Sequence, residues 1–176
     1  MNKKEKKRIV IPLRPLFKWL VRLRKSPRAI AGGFALGTFI AFTPTIGVQF
    51  FIVIFLATLF NLNRPAAFVT IWITNVATFA PIYTFNYWVG SLFFSGPSVG
   101  EVYRTFLDIT STFMKMEVWA MLDQFLVIMG LGKDIIIPLV IGSVLVGSVA
   151  AGIVYLLAIT LLHWLINRRA RKRILH

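Results

Sequence analysis

The sequence predicts an all-α integral membrane protein with re-entrant or broken helices, accompanied by interfacial amphipathic helices. Of its 176 residues 57% are hydrophobic, which is high for a soluble domain. Three stretches carry no charged residue, at 29–63, 65–100 and 135–167, and each exceeds the ~18 apolar residues of a transmembrane candidate. The net charge of +14 divides into +10 at 1–28, −1 in the body and +5 at 168–176.

This distribution of charge argues against a soluble enzyme and against a nucleic-acid-binding domain. A pI near 11 is typical of proteins that bind nucleic acid, but here the basic residues lie almost entirely at the two ends of an apolar body. Lys- and Arg-rich flanks of membrane segments stay on the cytoplasmic side. We therefore expect both termini in the cytoplasm, a multi-pass topology and no nucleic-acid partner.

The N-terminal part is expected to lie outside the membrane core. The charge run within 1–13 predicts a disordered basic tail. Over 14–25, apolar residues at helical spacing alternate with basic ones, which predicts an amphipathic interfacial helix. The simplest role of the basic residues is to fix orientation; the alternative is an anionic-lipid surface. That surface would consist of Arg14, Lys18, Arg22, Arg24, Lys25 and Arg28.

Residues 29–63 are predicted to form a re-entrant hairpin. One straight helix of this length would measure ~52 Å, against a hydrocarbon core of ~30 Å. The stretch is interrupted by Pro44 and Gly47, since Pro breaks a helix and Gly permits a sharp turn. Two short helices meeting at this turn would return the chain to the inner face at Arg64. The competing model splits the stretch into two thin crossings and gives four crossings in all.

Residues 66–94 are predicted to form a broken span, or alternatively a second re-entrant hairpin. The interruption lies at Asn75 to Thr78, followed by Pro81. Irregular backbone at membrane depth is tolerated only inside protein or beside water. The break is therefore expected to be buried in the protein or to line a cavity.

The segment 101–134 is predicted to be an amphipathic linker on the outer face, because its five acids and three basic residues give a net charge of −2. Apolar residues recur in it at three- to five-residue steps, which indicates one or two surface helices. These helices would lie half-sunk in the interface or cap the core. The alternative is a lid over the broken segments.

The stretch 135–166 is predicted to be a transmembrane helix that completes a single helical membrane domain over 14–167, followed by a basic cytoplasmic tail at 168–176. Small residues in it recur four positions apart, which allows helices to approach closely. They would pack within the chain or between the copies of a homo-oligomer. These residues are Gly142, Ser143, Gly147, Ser148 and Gly152.

The residues needed for catalysis are scarce. The chain has no Cys, its two His residues lie at 163 and 176, and no Asp or Glu lies between Glu5 and Glu101. No buried carboxylate pair or imidazole can therefore act as acid or base in the first two apolar stretches. We expect no catalytic residue, no metal site and no cofactor, and hence no enzyme.

The polar residues of the apolar body cluster at the two breaks. A buried amide or hydroxyl without a partner costs ~1–3 kcal/mol, so these groups should pair with unwound backbone, with each other or with a ligand. Two interrupted hydrophobic segments are a sequence pointer to a transporter binding site. The structural alternative is that Gln49 and Asn75 cap the broken helices, and both roles can coexist. The candidate ligand-binding residues are Thr43, Pro44, Gly47, Gln49, Trp72, Asn75, Thr78, Pro81, Tyr83 and Tyr87.

The motifs at these breaks resemble those of the bacterial family called domain of unknown function 2062. The resemblance covers about 15–160 and is carried by Ser26-Pro27, by Pro44-x-x-Gly47-x-Gln49 and by Trp72-x-x-Asn75-x-x-Thr78-x-x-Pro81-x-Tyr83. It implies a small protein of the bacterial inner membrane, joined in some relatives to a glycosyltransferase domain, without an established activity. Relatives usually have Asn-Pro where this chain has Asn75-Val76. Because Val keeps its N–H, we expect a softer kink there.

Two functions follow as expectations. In the first, the protein transports or flips an amphipathic anionic lipid or a lipid-linked precursor, because helix termini at the breaks favour an anion without an intramembrane cation. Its partners would then be membrane lipids with anionic headgroups. The alternative is a non-catalytic membrane scaffold that recruits a lipid-modifying enzyme such as a glycosyltransferase.

Overall fold

The computed structural model describes residues 26–115 and 121–174, with backbone alone at 121 and 169–174. The regular structure in these ranges is entirely helical, as the sequence predicts. The basic tail at 1–13, the interfacial helix at 14–25 and its residues Arg14, Lys18, Arg22, Arg24 and Lys25 lie outside the described residues. The helices are α1 (Pro27–Phe42), α2 (Gln49–Leu59), α3 (Arg64–Thr70), α4 (Val76–Ser91), α5 (Val99–Lys115), α6 (Met121–Met129) and α7 (Lys133–Ile174), with a 3-10 turn at Ile71–Ile73.

Helices α1 and α2 are separated by an irregular turn at 43–48. The hydroxyl of Ser26 accepts the backbone N–H of Ala29 at 3.3 Å, and Pro27 opens the helix, as is typical of an N-cap followed by Pro. The turn contains Pro44 and Gly47, whose φ of 87° lies in the left-handed region that Gly adopts without strain. The chain can therefore reverse within six residues.

The segment from α3 to α4 is broken sharply. Its two parts, Arg64–Ile73 and Val76–Ser91, are bent by 80° relative to each other. Asn75 lies between them with an extended backbone, and it is the N-cap of α4. The expectation of a softer kink at Val76 is wrong, because the capping interactions of Asn75 start a new helix and need no Pro at the next position.

The long helix α7 packs against α1 and α4. At the crossing with α4 the backbones touch: a Cβ on Gly90 would collide with the carbonyl of Pro138, and one on Gly142 with the carbonyl of Asn86. Ser143 is fully buried beside this contact. Three members of the small-residue stripe, Gly142, Ser143 and Gly147, therefore contact other helices of the same chain.

The amphipathic segment forms α5 and α6, and α5 packs along α4. Its buried face consists of residues at helical spacing, Val102, Phe106, Ile109 and Phe113. The ring of Phe79 on α4 lies 5.5 Å from that of Phe106 and 5.3 Å from that of Phe113. These contacts show that α5 packs on the helical core.

The outer surface of the helices is strongly apolar. Within the described residues, Lys133–Arg168 is the one helix long and apolar enough to cross a membrane, and the bent pair at 64–91 is a second if it counts as one span. Large apolar side chains are exposed along α2, such as Phe51 and Phe55, and along α7, such as Val149 and Leu157. The α7 backbone stays helical through Ile174, well into the basic segment at 168–176.

Candidate functional site

The unwound end of α1 is satisfied by side chains from the second break and from α4. The last carbonyl groups of a helix have no partner within it. Here three of them accept a side-chain donor from far along the sequence. These bonds are Tyr83 Oη to Thr43 O at 2.6 Å, Asn86 Nδ2 to Phe42 O at 2.8 Å, and Thr74 Oγ1 to Ala41 O. The two breaks are therefore one structural unit.

The second break is organised by a capping box. The Asn75 Oδ1 accepts the N–H groups of Ala77 at 2.9 Å and of Thr78 at 3.3 Å. In return, the Thr78 hydroxyl accepts the Asn75 N–H at 2.9 Å. The side-chain amide of Asn75 also donates to Trp72 O at 3.2 Å. The Asn75 side-chain oxygen thus caps α4, and its side-chain nitrogen binds the preceding 3-10 turn.

A cavity of about 510 Å³ lies between the two breaks. This volume is within the ~300–1,000 Å³ range of small-molecule sites. Its wall is mostly apolar, and within 26–115 and 121–174 no Asp, Glu, Lys, Arg or His lines it. The lining residues are Ile46, Gly47, Gln49, Phe50, Trp72, Thr74, Asn75, Val76, Phe113 and Gln124.

Gln49 is the polar side chain of this wall that the protein leaves unsatisfied. It is only 5% exposed, and its Oε1 is buried without a hydrogen-bond partner. It is also the first residue of α2. The N-cap residue before it is Val48, whose side chain makes no capping hydrogen bond to the helix. An uncapped first turn leaves backbone N–H groups available and carries partial positive charge. The wall therefore offers an amide and a helix N-terminus at the same place.

The amphipathic helices contribute to the same cavity. Phe113 near the end of α5 and Gln124 on α6 line it together with the break residues. Phe113 is buried, while Trp72 on the opposite wall is 56% exposed. Trp72 is the most exposed of the described lining residues, so the cavity is nearest to the surface beside it.

The structure separates the predicted ligand-binding residues into three groups. Gly47, Gln49, Trp72 and Asn75 line the cavity. Thr43, Tyr83 and Thr78 contribute to the capping of α1 and α4, and Pro44 is buried in the first turn. The remaining two lie elsewhere: Pro81 is exposed on α4, and the Tyr87 hydroxyl donates to Pro97 O at 2.7 Å.

The other predicted surfaces are only partly visible. Arg28 is exposed in the first turn of α1. Ser148 and Gly152 are exposed on α7, and a Cβ on Gly152 would meet nothing within 4 Å. Among residues 26–115 and 121–174, no group of three or more His, Asp or Glu side chains is placed to hold a metal ion.

The candidate residues predicted from the sequence include four of the ten lining residues and miss the other six. Ile46, Phe50, Thr74 and Val76 lie within one residue of a predicted position, so the sequence indicates their neighbourhood. Phe113 and Gln124 come from the linker, whose periodicity predicts helices but does not show what they cover. The apolar stripe that ends at Phe113 is the signal that points to a covered surface.

Comparison with known proteins gives one match. A family model described as uncharacterized protein conserved in bacteria (DUF2062) matches residues 11–171. No curated protein and no solved structure matches the chain.

Proposed function

The chain belongs to this bacterial family, DUF2062, and from its own geometry we propose that it is an integral membrane protein that binds an amphipathic anionic lipid and moves its headgroup across the membrane. The observation that carries the proposal is the cavity between the two breaks, with the unpartnered Gln49 amide in its wall. The proposed role is transport without a catalytic step.

Exposed apolar surface supports the membrane location. Soluble monomers rarely expose contiguous apolar patches of more than a few hundred Å², whereas here Phe51, Phe55, Val149 and Leu157 are all more than 60% exposed. The helix Lys133–Arg168 has 36 residues and would be about 54 Å long. It is long enough to cross a bacterial inner membrane and extend beyond it.

Helix length supports a re-entrant hairpin at α1 and α2. With 16 and 11 residues, they would measure about 24 and 16 Å, less than a hydrocarbon core of ~30 Å. The hairpin would therefore enter and return on one side. The bent pair α3–α4 would go out and α7 would come back, so that both termini lie in the cytoplasm.

The chemistry of the cavity supports an anionic amphipathic ligand. The apolar wall suits hydrocarbon, and the uncapped N-terminus of α2 suits an anionic group. Broken helices whose N-termini face the substrate are the arrangement that secondary transporters use for anionic groups. The cavity is nearest to the surface beside the exposed Trp72, which would leave room for acyl chains to remain in the bilayer.

A liposome assay with a headgroup-labelled anionic lipid tests this function. The purified full chain is reconstituted, and movement of the label between leaflets is followed by a quencher that cannot cross the membrane. We expect transport by the wild type. We expect its loss in Val76→Trp, because Val76 lines the cavity and the larger indole would occupy part of the space that the lipid headgroup needs. Val149→Trp is the matched control, since Val149 is 65% exposed on α7 and does not line the cavity.

Two results would contradict transport through this cavity. One is a wild-type rate equal to that of protein-free liposomes. The other is an equal rate in Val76→Trp and Val149→Trp, which would place any lipid movement elsewhere on the protein.

A scaffold that recruits a lipid-modifying enzyme is the second candidate function. One observation favours it: the side chains of Thr74, Tyr83 and Asn86 donate hydrogen bonds to the carbonyl groups at the end of α1. Many of the polar groups at the breaks therefore hold helices together and are not available to a ligand. In this case Val76→Trp would leave co-purification of the enzyme unchanged, and no lipid movement would be measured for the wild type.

A further inference from the structure

We infer that the cavity accepts the headgroup of an anionic phosphodiester lipid that also carries a free hydroxyl, as in phosphatidylglycerol, with the hydroxyl donating to Gln49 Oε1. This inference rests on the proposed function and names the class of its ligand. It depends on the unsatisfied group in the cavity wall and on the helix terminus beside that group.

The side-chain oxygen of Gln49 lacks a donor. This Oε1 is buried and without a partner, so the side chain must turn into the cavity for a ligand to reach it. A buried acceptor is costly until a donor reaches it. A phosphodiester has no proton to give at neutral pH, so a phosphate alone would leave this oxygen unsatisfied. The ligand must therefore bring an O–H or N–H group in addition to its anionic group.

The charge at the start of α2 favours a hydroxyl over an ammonium group. Gln49 is the first residue of α2, where the helix carries partial positive charge and no side chain caps it. That charge attracts a phosphate and repels an ammonium group. Among the described residues, no carboxylate lines the cavity to neutralise a cation. A neutral hydroxyl needs no such compensation, and it matches the buried acceptor of Gln49.

The size of the cavity and its aromatic lining suit the headgroup of a lipid. A volume of about 510 Å³ accommodates a glycerol-phosphate group but not two extended acyl chains. Phe50 and Phe113 offer apolar surface to the carbon atoms of the headgroup. The exposed Trp72 lies where the cavity is nearest to the surface, and aromatic rings are typical of the boundary between headgroups and acyl chains.

Two lipids of equal charge test the inference. Short-chain phosphatidylglycerol and phosphatidylmethanol carry the same phosphodiester charge, but only the first has headgroup hydroxyls. Their dissociation constants are measured by native mass spectrometry with the full chain in neutral detergent. We expect phosphatidylglycerol to bind about tenfold more tightly to the wild type, the size of effect expected for a lost hydrogen bond to a buried polar group.

Gln49→Met removes the amide and keeps a side chain of similar length. It should reduce the preference to less than about twofold, mainly by weakening phosphatidylglycerol. Asn167→Leu is the control that should keep the preference, because Asn167 is exposed on α7 and does not line the cavity. Gln124→Met, at the other glutamine of the wall, shows which amide is responsible. A thermal melt of each variant verifies that it is folded.

The outcomes separate this inference from the proposed function. Equal binding of both lipids to the wild type, weakened by Val76→Trp, would overturn the hydroxyl assignment and leave lipid binding in place. A preference that disappears in Gln124→Met but not in Gln49→Met would overturn the assignment to Gln49. Tighter binding of phosphatidylethanolamine than of phosphatidylglycerol would replace the hydroxyl with an ammonium group. Saturable binding of none of these lipids would overturn both proposals.

Discussion

Asn86 donates from Nδ2 to the carbonyl oxygen of Phe42, 44 positions earlier in the chain, at 2.8 Å. The same nitrogen lies 3.0 Å from Ser143 Oγ, so one side chain joins α1, α4 and α7. Backbone groups in a non-aqueous environment must find partners within the protein. This buried amide supplies one to the end of a helix that stops at a Pro-containing turn.

Asn86→Ala should destabilise the protein by about 1–3 kcal/mol, because it leaves the Phe42 carbonyl buried without a side-chain donor. The measurement is the thermal midpoint of the purified protein in detergent. Asn167→Ala is the control, since Asn167 is exposed near the end of α7. Equal midpoints for the two variants would show that the bond contributes nothing.

Gly142→Ala should be strongly destabilising, because its Cβ would collide with the backbone carbonyl of Asn86, and a backbone atom cannot rotate away. Gly152→Ala on the same helix should be neutral or stabilising by up to ~1 kcal/mol, the helix preference for Ala over Gly, because a Cβ there has open space. Thermal melting of both variants checks the pair. A destabilised Gly152→Ala would indicate that this face packs against a second copy.

Gln49 and Asn75 should respond oppositely in stability. Asn75→Ala removes the N-cap of α4 and should cost about 0.5–2 kcal/mol, with Asn75→Ser recovering most of it. Gln49→Met removes a buried acceptor without a partner and should leave the thermal midpoint unchanged or raised, while lipid binding falls. A large loss of stability in Gln49→Met would mean that its amide serves the fold.

The helical class and both breaks could be predicted from the sequence. Pro44, Gly47 and Asn75 act locally, and 104 of the 176 residues lie in the uncharged stretches 29–63, 65–100 and 135–167. The same local logic failed at Val76, where the absence of Pro suggested a soft kink although the capping box of Asn75 bends the chain by 80°.

The partition of the polar residues could not be predicted. Thr74, Asn75 and Gln49 are similar in the sequence, all uncharged and all beside a break. Asn75 caps its own helix, as its local sequence allows. By contrast, Thr74 meets the distant end of α1, and Gln49 Oε1 meets no partner. Such pairings depend on how helices cross, and the spacing of residues along one helix does not report it.

Thr45→Cys tests the re-entrant arrangement. The natural chain has no Cys, so a single thiol reports its own position. If α1 and α2 form a hairpin that enters from the cytoplasm, a membrane-impermeant maleimide added outside spheroplasts should leave residue 45 unlabelled. Ser111→Cys is the positive control, because Ser111 is exposed in the segment 101–134 that is expected on the outer face. Rapid labelling of residue 45 from outside would favour two thin crossings and four in all.

Glu101 should stabilise the start of α5 in a pH-dependent way. Its carboxylate accepts the Ser98 backbone N–H at 2.9 Å, and Ser98 Oγ accepts the Glu101 N–H at 3.3 Å, which is a capping box. The pKa of Glu101 is lowered below its ordinary 4.5, mainly by the hydrogen bond from the Ser98 backbone N–H and secondly by the hydrogen bond with the Ser98 side chain.

Because the pKa of Glu101 is lowered in the folded protein, the stabilisation is complete above the pKa of the unfolded chain and is lost as the pH falls through the pKa of the folded protein. The thermal midpoint of the wild type should therefore exceed that of Glu101→Gln at pH 7, and the difference should shrink from about pH 5 downward. A difference that stays constant down to pH 3 would contradict an ionised cap.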